Sequence, residues 1–423
     1  MEGGRESGKS MRTIVMGGGL IGVTTAYFLA KEGHEVTVLE RNEDIGLETS
    51  FQNGALLAPG HSQSWASPGA VKALVKSLFQ EEPALRFRFS ADPRFWRWAV
   101  GFVSQCTEAN YRANTLRVMR CMSEGVEALR ELRSETGIDF RGNDNGILYL
   151  FRTQQSLEER ASSWTLLTEH GYELEAVDRH RCVEIEPALE VSQEKIAGGF
   201  FAPNEGAGDA FVFTRELAKL CKELGVLFRF NTQVTHIQAS GDQIEAVVTD
   251  RGEVTGGRYV VAFGPYSPVL MRPLGISLPI WPVKGYTVSV NIDGRNGAPQ
   301  VGIIEEDNLV AFARLDDRLR IGGKADFAGY NTHFEPRDFV GVLAVAHDLF
   351  PDGGDYANPK YWACLRPVTA GGPPILGESR YKNLFLNVGH GAAGWTMACS
   401  TCKAVAEIVC GRSPGMDMEG LTL

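Results

Sequence analysis

The sequence predicts an α/β fold joined to a β-rich one: a Rossmann-like nucleotide-binding domain carrying a discontinuous substrate domain built on a mixed sheet. Three observations predict it. A strand, a glycine-rich turn, a helix and a second strand follow one another between Arg12 and Leu39, which is βαβ spacing. The stretch from Ile280 to Gly323 reads as β-rich, with turns at Asp293-Gly294 and Asp316-Asp317. And 423 residues exceed what one ordinary core holds, so two domains are expected.

The elements justify themselves in order. Thr13 to Met16 is a short apolar run, read as a buried strand. Leu20 to Lys31 reads as a helix with Ile21, Ala26, Phe28 and Leu29 among its apolar positions, and Val36 to Leu39 as the second strand. Gly46 to Pro59 has little periodicity and reads as loop. Asn110 to Thr136 carries Leu116, Met119, Met122, Val126, Leu129 and Leu132 at three- and four-residue steps, the core face of a long amphipathic helix. Gly146 to Arg152 reads as a strand, then Leu157 to His170 and Thr214 to Leu224 as helices. Leu227 to Phe230, Val234 to Ile237 and Tyr259 to Phe263 follow as strands. Leu384 to Val388 is a strand leading through a glycine-rich turn into a helix from Trp395 to Val409. No internal repeat or low-complexity linker divides the chain, so the domains are expected to interleave. Residues 11–90, part of 190–250 and 355–423 fall to the nucleotide domain; 91–189 and 255–354 fall to the substrate domain.

Composition narrows the function. Hydrophobic residues make up 43% and charged residues 22%, a globular balance. A net charge of -10 excludes nucleic acid as a natural partner, since phosphate binding needs a basic face. No apolar run reaches the roughly 18 residues of a membrane span. Met1 to Ser10 is polar, is no signal peptide, and reads as a leader or expression remnant ahead of Met11. Eight scattered cysteines suit a reducing, cytoplasmic setting. Gly3 to Ser10 matches the P-loop pattern letter by letter, but a P-loop follows a strand and opens a helix; nothing hydrophobic precedes this one, and a strand-like run follows it.

Gly17-Gly18-Gly19-Leu20-Ile21-Gly22 supplies GxGxxG between strand and helix. Gly17 permits the tight turn, Gly19 lets backbone approach a pyrophosphate, and Gly22 lets the helix pack on the sheet. Leu20 and Ile21 open the helix, whose N-terminus presents N–H groups and partial positive charge to phosphates. Glu40, with Arg41 beside it, ends the second strand roughly 20 residues on, where a carboxylate accepts both ribose hydroxyls. FAD and NAD both use this fingerprint, and only one copy is present. Either NAD is the cofactor, or FAD takes electrons directly from a small substrate.

Several further stretches resemble the FAD-dependent D-amino acid dehydrogenase family, within the larger D-amino acid oxidase and glycine oxidase group. They are Glu48-Thr49-Ser50 with Asn53-Gly54, Ala58-Pro59-Gly60, Trp65 to Gly69, Leu150 to Thr153, Pro282 to Tyr286, Arg320 to Gly323, Leu365-Arg366-Pro367 and Gly389 to Ala398. The matches run in order over nearly the whole chain from Met11. The resemblance implies an FAD domain built from both chain ends plus inserts, and a β-rich substrate domain. It places the loop Thr49, Ser50, Asn53, Gly54, Ala55 and Leu56 around the flavin's phosphates and ring edge. Gly389, His390, Gly391, Gly394, Trp395 and Thr396 then form a second glycine turn opening a helix near the isoalloxazine. A helix N-terminus there would stabilise negative charge on reduced flavin. For His390 two readings stand, cofactor contact or mere capping and packing.

The activity this implies is oxidative deamination of a D-amino acid to a 2-oxo acid and ammonia. Hydride leaves the α-carbon for flavin N5, and electrons pass on to a quinone or other acceptor. Arg366 sits where relatives hold the substrate carboxylate, and a planar fork suits that task; the plain alternative is a salt bridge. Tyr286 is expected to face the flavin and hydrogen-bond the carboxylate or amine, against a packed core tyrosine. His61 could line the pocket. Hydride transfer needs only a deprotonated amine, so no further base is required. Two departures stand out. Cys364 occupies a usual glycine position before Leu365-Arg366-Pro367, and related sarcosine oxidases hold FAD covalently through a comparable cysteine; non-covalent FAD beside a buried thiol is the plainer expectation. Lys324 stands where relatives carry Met or Thr, either reaching the pocket or lying at the surface. Cys399 and Cys402 form a CxxC inside an apolar helix and read as packing thiols; no metal site is expected. An oxygen-using oxidase of glycine, sarcosine or D-proline type remains an alternative, as does a non-catalytic nucleotide-binding module. Resemblance also leaves open peripheral association with the inner membrane face. Oligomeric state is not legible.

Overall fold

The structure is a computed structural model that describes residues 11–72, 85–88 and 90–423. The leader and the P-loop-like run in residues 1–10 lie outside the described residues. Two large sheets organise the chain. The first has the strand order Ile375–Glu378, Leu384–Val388, Arg258–Val261, Arg12–Met16, Glu35–Leu39, Leu227–Arg229. All its pairings are parallel except that of Ile375–Glu378 with Leu384–Val388. Parallel strands are covered on both faces and so read as continuous apolar runs; Ile14, Val15 and Met16 are fully buried. Helix Leu20–Lys31 packs against helices Gly394–Val409 and Ala210–Glu223, and Gly394–Val409 packs in turn on helix Glu108–Thr136.

The second sheet runs Lys360–Thr369, Ile280–Asn291, Arg318–Phe327, Val310–Leu315, Gly302–Glu305, Ile147–Phe151, Gly198–Ala202, Glu175–Asp178, with Leu85–Phe87 added to Arg318–Phe327. It mixes parallel and antiparallel pairs. A third, three-stranded meander spans Val234–Val254.

Three placements differ from the ranges expected from sequence. Strand Arg258–Val261 lies in the parallel sheet, beside Arg12–Met16. Strand Lys360–Thr369 lies in the mixed sheet, antiparallel to Ile280–Asn291. Helix Glu108–Thr136 packs with the parallel-sheet domain: Val118, Met122, Val126, Leu129 and Leu132 share one core with Leu20, Val23 and Ala26. The chain crosses between domains after Val261 and again after Thr369 without any change of composition to mark it.

Candidate active site

The glycine turn has the geometry a dinucleotide needs. Gly17 sits at φ 115°, and a β-carbon there would lie 2.4 Å from the Ala262 carbonyl oxygen; at Gly22 it would lie 1.8 Å from the Gly17 oxygen. No side chain fits either place. Gly19 is the N-cap of helix Leu20–Lys31, and Ser50 Oγ accepts the Leu20 N–H at 3.0 Å. Glu40 follows strand Glu35–Leu39 directly and is buried. Its Oε2 accepts from Gly18 N at 2.8 Å, and its Oε1 accepts from Asn42 N and Nδ2 at 2.8 Å each. Burial pushes this carboxyl up and the Asn42 and Gly18 hydrogen bonds oppose it. Oε2, which accepts only one of these bonds, retains acceptor capacity for a ribose hydroxyl. Arg41 turns to Glu48 and stacks 4.2 Å over the Tyr266 ring. These residues fit a bound ADP moiety.

From Ser50 a continuous chain of contacts leads to the mixed sheet. Thr49 Oγ1 donates to the Leu365 carbonyl at 2.8 Å. Thr287 Oγ1 donates to Gln52 O at 3.0 Å, and Arg320 Nη1 donates to Asn53 O at 2.9 Å. Gly322 lies close under Gly54. Ala55 takes φ 63°, and Leu56 runs antiparallel to Ala207. Thr396, in the first turn of helix Gly394–Val409, accepts from Ala58 N at 3.3 Å and reaches Leu56 O at 3.4 Å. Thr49, Ser50, Asn53, Gly54, Ala55, Leu56 and Thr396 are therefore brought together. Gly389 and Gly391 take φ 81° and 55°, and Gly391 N donates to Pro367 O at 3.0 Å, setting this second turn beside the Arg366 strand.

His390 packs rather than reaching out. Its Nε2 meets Thr401 Oγ1 at 3.1 Å, and burial drives its pKa down to about 3. Trp395 is buried edge-on against Phe140 and tilted on Phe213, a core residue. Cys399 and Cys402 are buried free thiols inside the last helix, raised by burial, and no metal-holding cluster occurs among the described residues.

The mixed sheet sorts the substrate candidates by face. Across strands Ile280–Asn291 and Lys360–Thr369, Val283 pairs with Arg366, Gly285 with Cys364 and Thr287 with Trp362; side chains alternate along a strand, so these share the face that meets the 49–56 loop. Arg366 lies across Gly285, where a β-carbon would come within 2.6 Å of the guanidinium carbon. Its Nη1 donates to Lys324 O at 3.2 Å. Among the described residues no carboxylate pairs with it, and burial lowers its pKa.

Tyr286 is not brought to that face. It is fully buried in the core behind the sheet with Phe339 and Val342. Its hydroxyl donates to Asp326 Oδ2 at 2.9 Å and accepts from Arg86 Nη2 at 2.9 Å. The expectation that it meets substrate is thus overturned by strand parity. Lys324 is a bulge residue at φ 59° whose ammonium lies 3.5 Å from Asp338 O and over the Tyr286 ring. His61 is also apart from Arg366. It stacks on Tyr149 and its Nε2 is 3.6 Å from Glu306 Oε1, several strands along the sheet.

Sequence reasoning missed the segment that holds the loop. Gly208 N donates to Ala55 O at 2.8 Å, Gly206–Ala207 pairs with Leu56–Leu57, and Glu205 accepts the Gly60 N–H. Asp209 caps helix Ala210–Glu223 and pairs with Arg318 at 3.3 Å. The only hint was a run of two acids flanking two glycines, Glu205 to Asp209, between a strand and a helix.

The model of the FAD-dependent oxidoreductase family DAO matches residues 12–408. A D-amino acid dehydrogenase 2 of Mesorhizobium japonicum is 41% identical over 412 residues, covering 97% of this chain and 99% of the relative. A D-amino acid dehydrogenase of Granulibacter bethesdensis is 39% identical over 413 residues, covering 98% and 99%. Among solved structures, a glycine oxidase from Geobacillus kaustophilus superposes with a TM-score of 0.74 at 23% identity, covering 98% of each chain. An L-proline dehydrogenase from P. horikoshii gives 0.75 at 20% identity, covering 98% and 97%. These likenesses show a shared fold.

Proposed function

The chain belongs to the DAO family of FAD-dependent oxidoreductases, and from that premise we propose that it is a D-amino acid dehydrogenase. The full-length relatives that bear this name support the reading. The amine loses a proton, the α-carbon loses a hydride, and a C=N bond forms; water then converts the imino acid to a 2-oxo acid and ammonia. FAD, when bound, supplies the hydride acceptor, and the electrons pass on to a quinone or another acceptor. No helix among the described residues is long and apolar enough to cross a membrane.

One observation carries the substrate class. Arg366 is a guanidinium on the loop-facing side of the sheet with no carboxylate partner among the described residues. Burial disfavours its charge, and a substrate carboxylate meeting its fork in two parallel hydrogen bonds would relieve that. Gly285 leaves the space in which the fork lies. The Thr49–Leu365 hydrogen bond ties this strand to the cofactor loop, so carboxylate anchor and flavin are held in one frame.

The test is an anaerobic absorbance titration of the purified protein with D- and L-amino acids, glycine and sarcosine. Bleaching of the flavin band by D-amino acids alone is the expected result. Slow reoxidation on readmitting air, with fast reoxidation by a soluble quinone, would support a dehydrogenase. A flavin band that no member of the panel bleaches would end the amino acid reading.

A further inference from the structure

We propose that Glu205 is a positioning residue for the cofactor: its carboxyl latches the turn Ala58–His61 and so keeps the preceding loop closed on the flavin. This rests on the placement of the 49–56 loop at the flavin argued above. Glu205 is wholly buried and has no cation as partner among the described residues. Three donors converge on it. Gly60 N–H and Tyr172 O–H both reach Oε1 at 2.5 Å, and Tyr149 O–H meets Oε2 at 2.6 Å. A β-carbon at Gly60 would stand 2.9 Å from the Tyr149 hydroxyl and 3.0 Å from Glu205 Oε1, so the glycine is what allows the approach.

The latch continues a zipper. Residues 206–208 fasten Ala55 to Leu57 by backbone hydrogen bonds alone. Glu205 adds the next fastening, at Gly60, and does so with a side chain that can change its proton content. On the other side the same turn is tied by the Ala58–Thr396 hydrogen bond. The loop is thus pinned between the first turn of the last helix and one buried carboxyl.

The three donors by themselves favour the carboxylate, and burial favours the neutral acid. When the carboxyl takes up a proton, Oε1 still accepts from Gly60 and Tyr172, and an Oε2–H meets Tyr149 once that hydroxyl turns its own hydrogen aside. Burial lifts the carboxyl to about 7, against the three hydrogen bonds. Among the described residues, the charged groups that bear on this site are Glu306, beside Tyr149 and His61, and Arg130, beside Tyr172. Tyr172 lines a cavity of about 500 Å³ together with Pro59 and Asn204. An opened turn would expose the carboxyl and return it toward its ordinary range. Closure is therefore linked to proton uptake, complete below the ordinary carboxylate range and weakening as pH rises toward and past 7.

The experiment measures FAD dissociation from holoenzyme between pH 6 and 9, with amide hydrogen exchange of residues 55–61, in wild type, Glu205→Gln, Glu205→Ala and Tyr172→Phe. Glutamine reproduces the neutral acid's donor and acceptors, so E205Q should hold FAD as tightly as wild type at pH 6 and without its loss above pH 7. E205A should release FAD roughly tenfold more readily than wild type at pH 6, with the difference narrowing above pH 7, and exchange faster at 55–61. Y172F, which removes one donor and keeps the ring, should loosen the turn partway and covers the case in which E205A does not fold. Unchanged exchange at 55–61 in both E205A and Y172F would overturn the latch, as would an E205Q protein with the wild-type pH slope. Faster exchange with unchanged FAD affinity would instead overturn the placement of the loop at the flavin, and the proposed link with it.

Discussion

Arg366 and Tyr286 stand on opposite faces of the same sheet. Tyr286 pairs with Ala363 on the neighbouring strand, three positions before Arg366, and an odd separation in a strand reverses the face. One residue lies over Gly285 toward the cofactor loop; the other is sealed behind the sheet with Asp326 and Arg86. The two arms of the site that sequence placed together are thus a candidate substrate anchor and a structural tyrosine.

Arg366→Ala is expected to lower kcat/KM for D-amino acids by about 10²–10³, the loss of a buried charge-assisted pair worth roughly 3–4 kcal/mol. Most of the loss should appear in KM, with flavin content unchanged. Steady-state kinetics and the absorbance spectrum of the purified variant check both.

Gly285→Ala tests the same anchor from beneath. Its β-carbon would fall 2.6 Å from the guanidinium carbon of Arg366, and a long side chain can yield where backbone cannot. The fold should survive with a melting temperature close to wild type, while KM rises because the fork is displaced. Gly22→Ala contrasts with it: there the obstacle is the Gly17 backbone oxygen at 1.8 Å, so FAD should be lost on purification.

Tyr286→Phe is expected to leave kcat/KM within about twofold and to cost about 1–2 kcal/mol of stability, read by denaturant unfolding, because a buried carboxylate loses one donor. Asp326 also gives a pH signature. Burial pushes its carboxyl up, but hydrogen bonds from Arg88, Arg86 and Tyr286 together hold it below the usual carboxylate range. A depressed folded-state pKa contributes stability above the unfolded value that is lost as pH falls through the folded one. Unfolding midpoints should therefore drop in acid, and less steeply in Asp326→Asn.

Parts of the fold and site whose geometry is local are legible in the sequence, and parts made by distant segments are not. The glycines, Gly17 to Gly22, and Glu40 were legible because their geometry is local: strand, turn, helix and acid lie within one βαβ unit. Helix Leu20–Lys31 and strand Leu384–Val388 fall where periodicity put them. The face of Tyr286 was not legible. Strand Ile280–Asn291 is buried on both sides for nearly its whole length, so no polar–apolar alternation tells which residues point to the cofactor. Glu205 was invisible for a related reason: an acid in a glycine-rich turn looks solvated until Tyr149 and Tyr172, each from another element, close over it. Arg320, named in the sequence only as part of the stretch Arg320 to Gly323, is buried between Ser289 and Asn53.

Cys364 supplies the last prediction. It is a buried free thiol on the loop-facing side of the sheet, opposite Gly285. A sulfur joins a flavin carbon as the thiolate, and burial raises this thiol despite the nearby Arg366 and Arg320 charges. Flavin should therefore leave completely with the supernatant when the holoenzyme is precipitated with acid, and Cys364→Ser should purify with the same flavin content as wild type. Yellow colour retained by the washed precipitate, and lost in the serine variant, would show a covalent bond instead. It would also fix the dimethylbenzene edge of the ring beside Cys364, two residues from Arg366 along the strand.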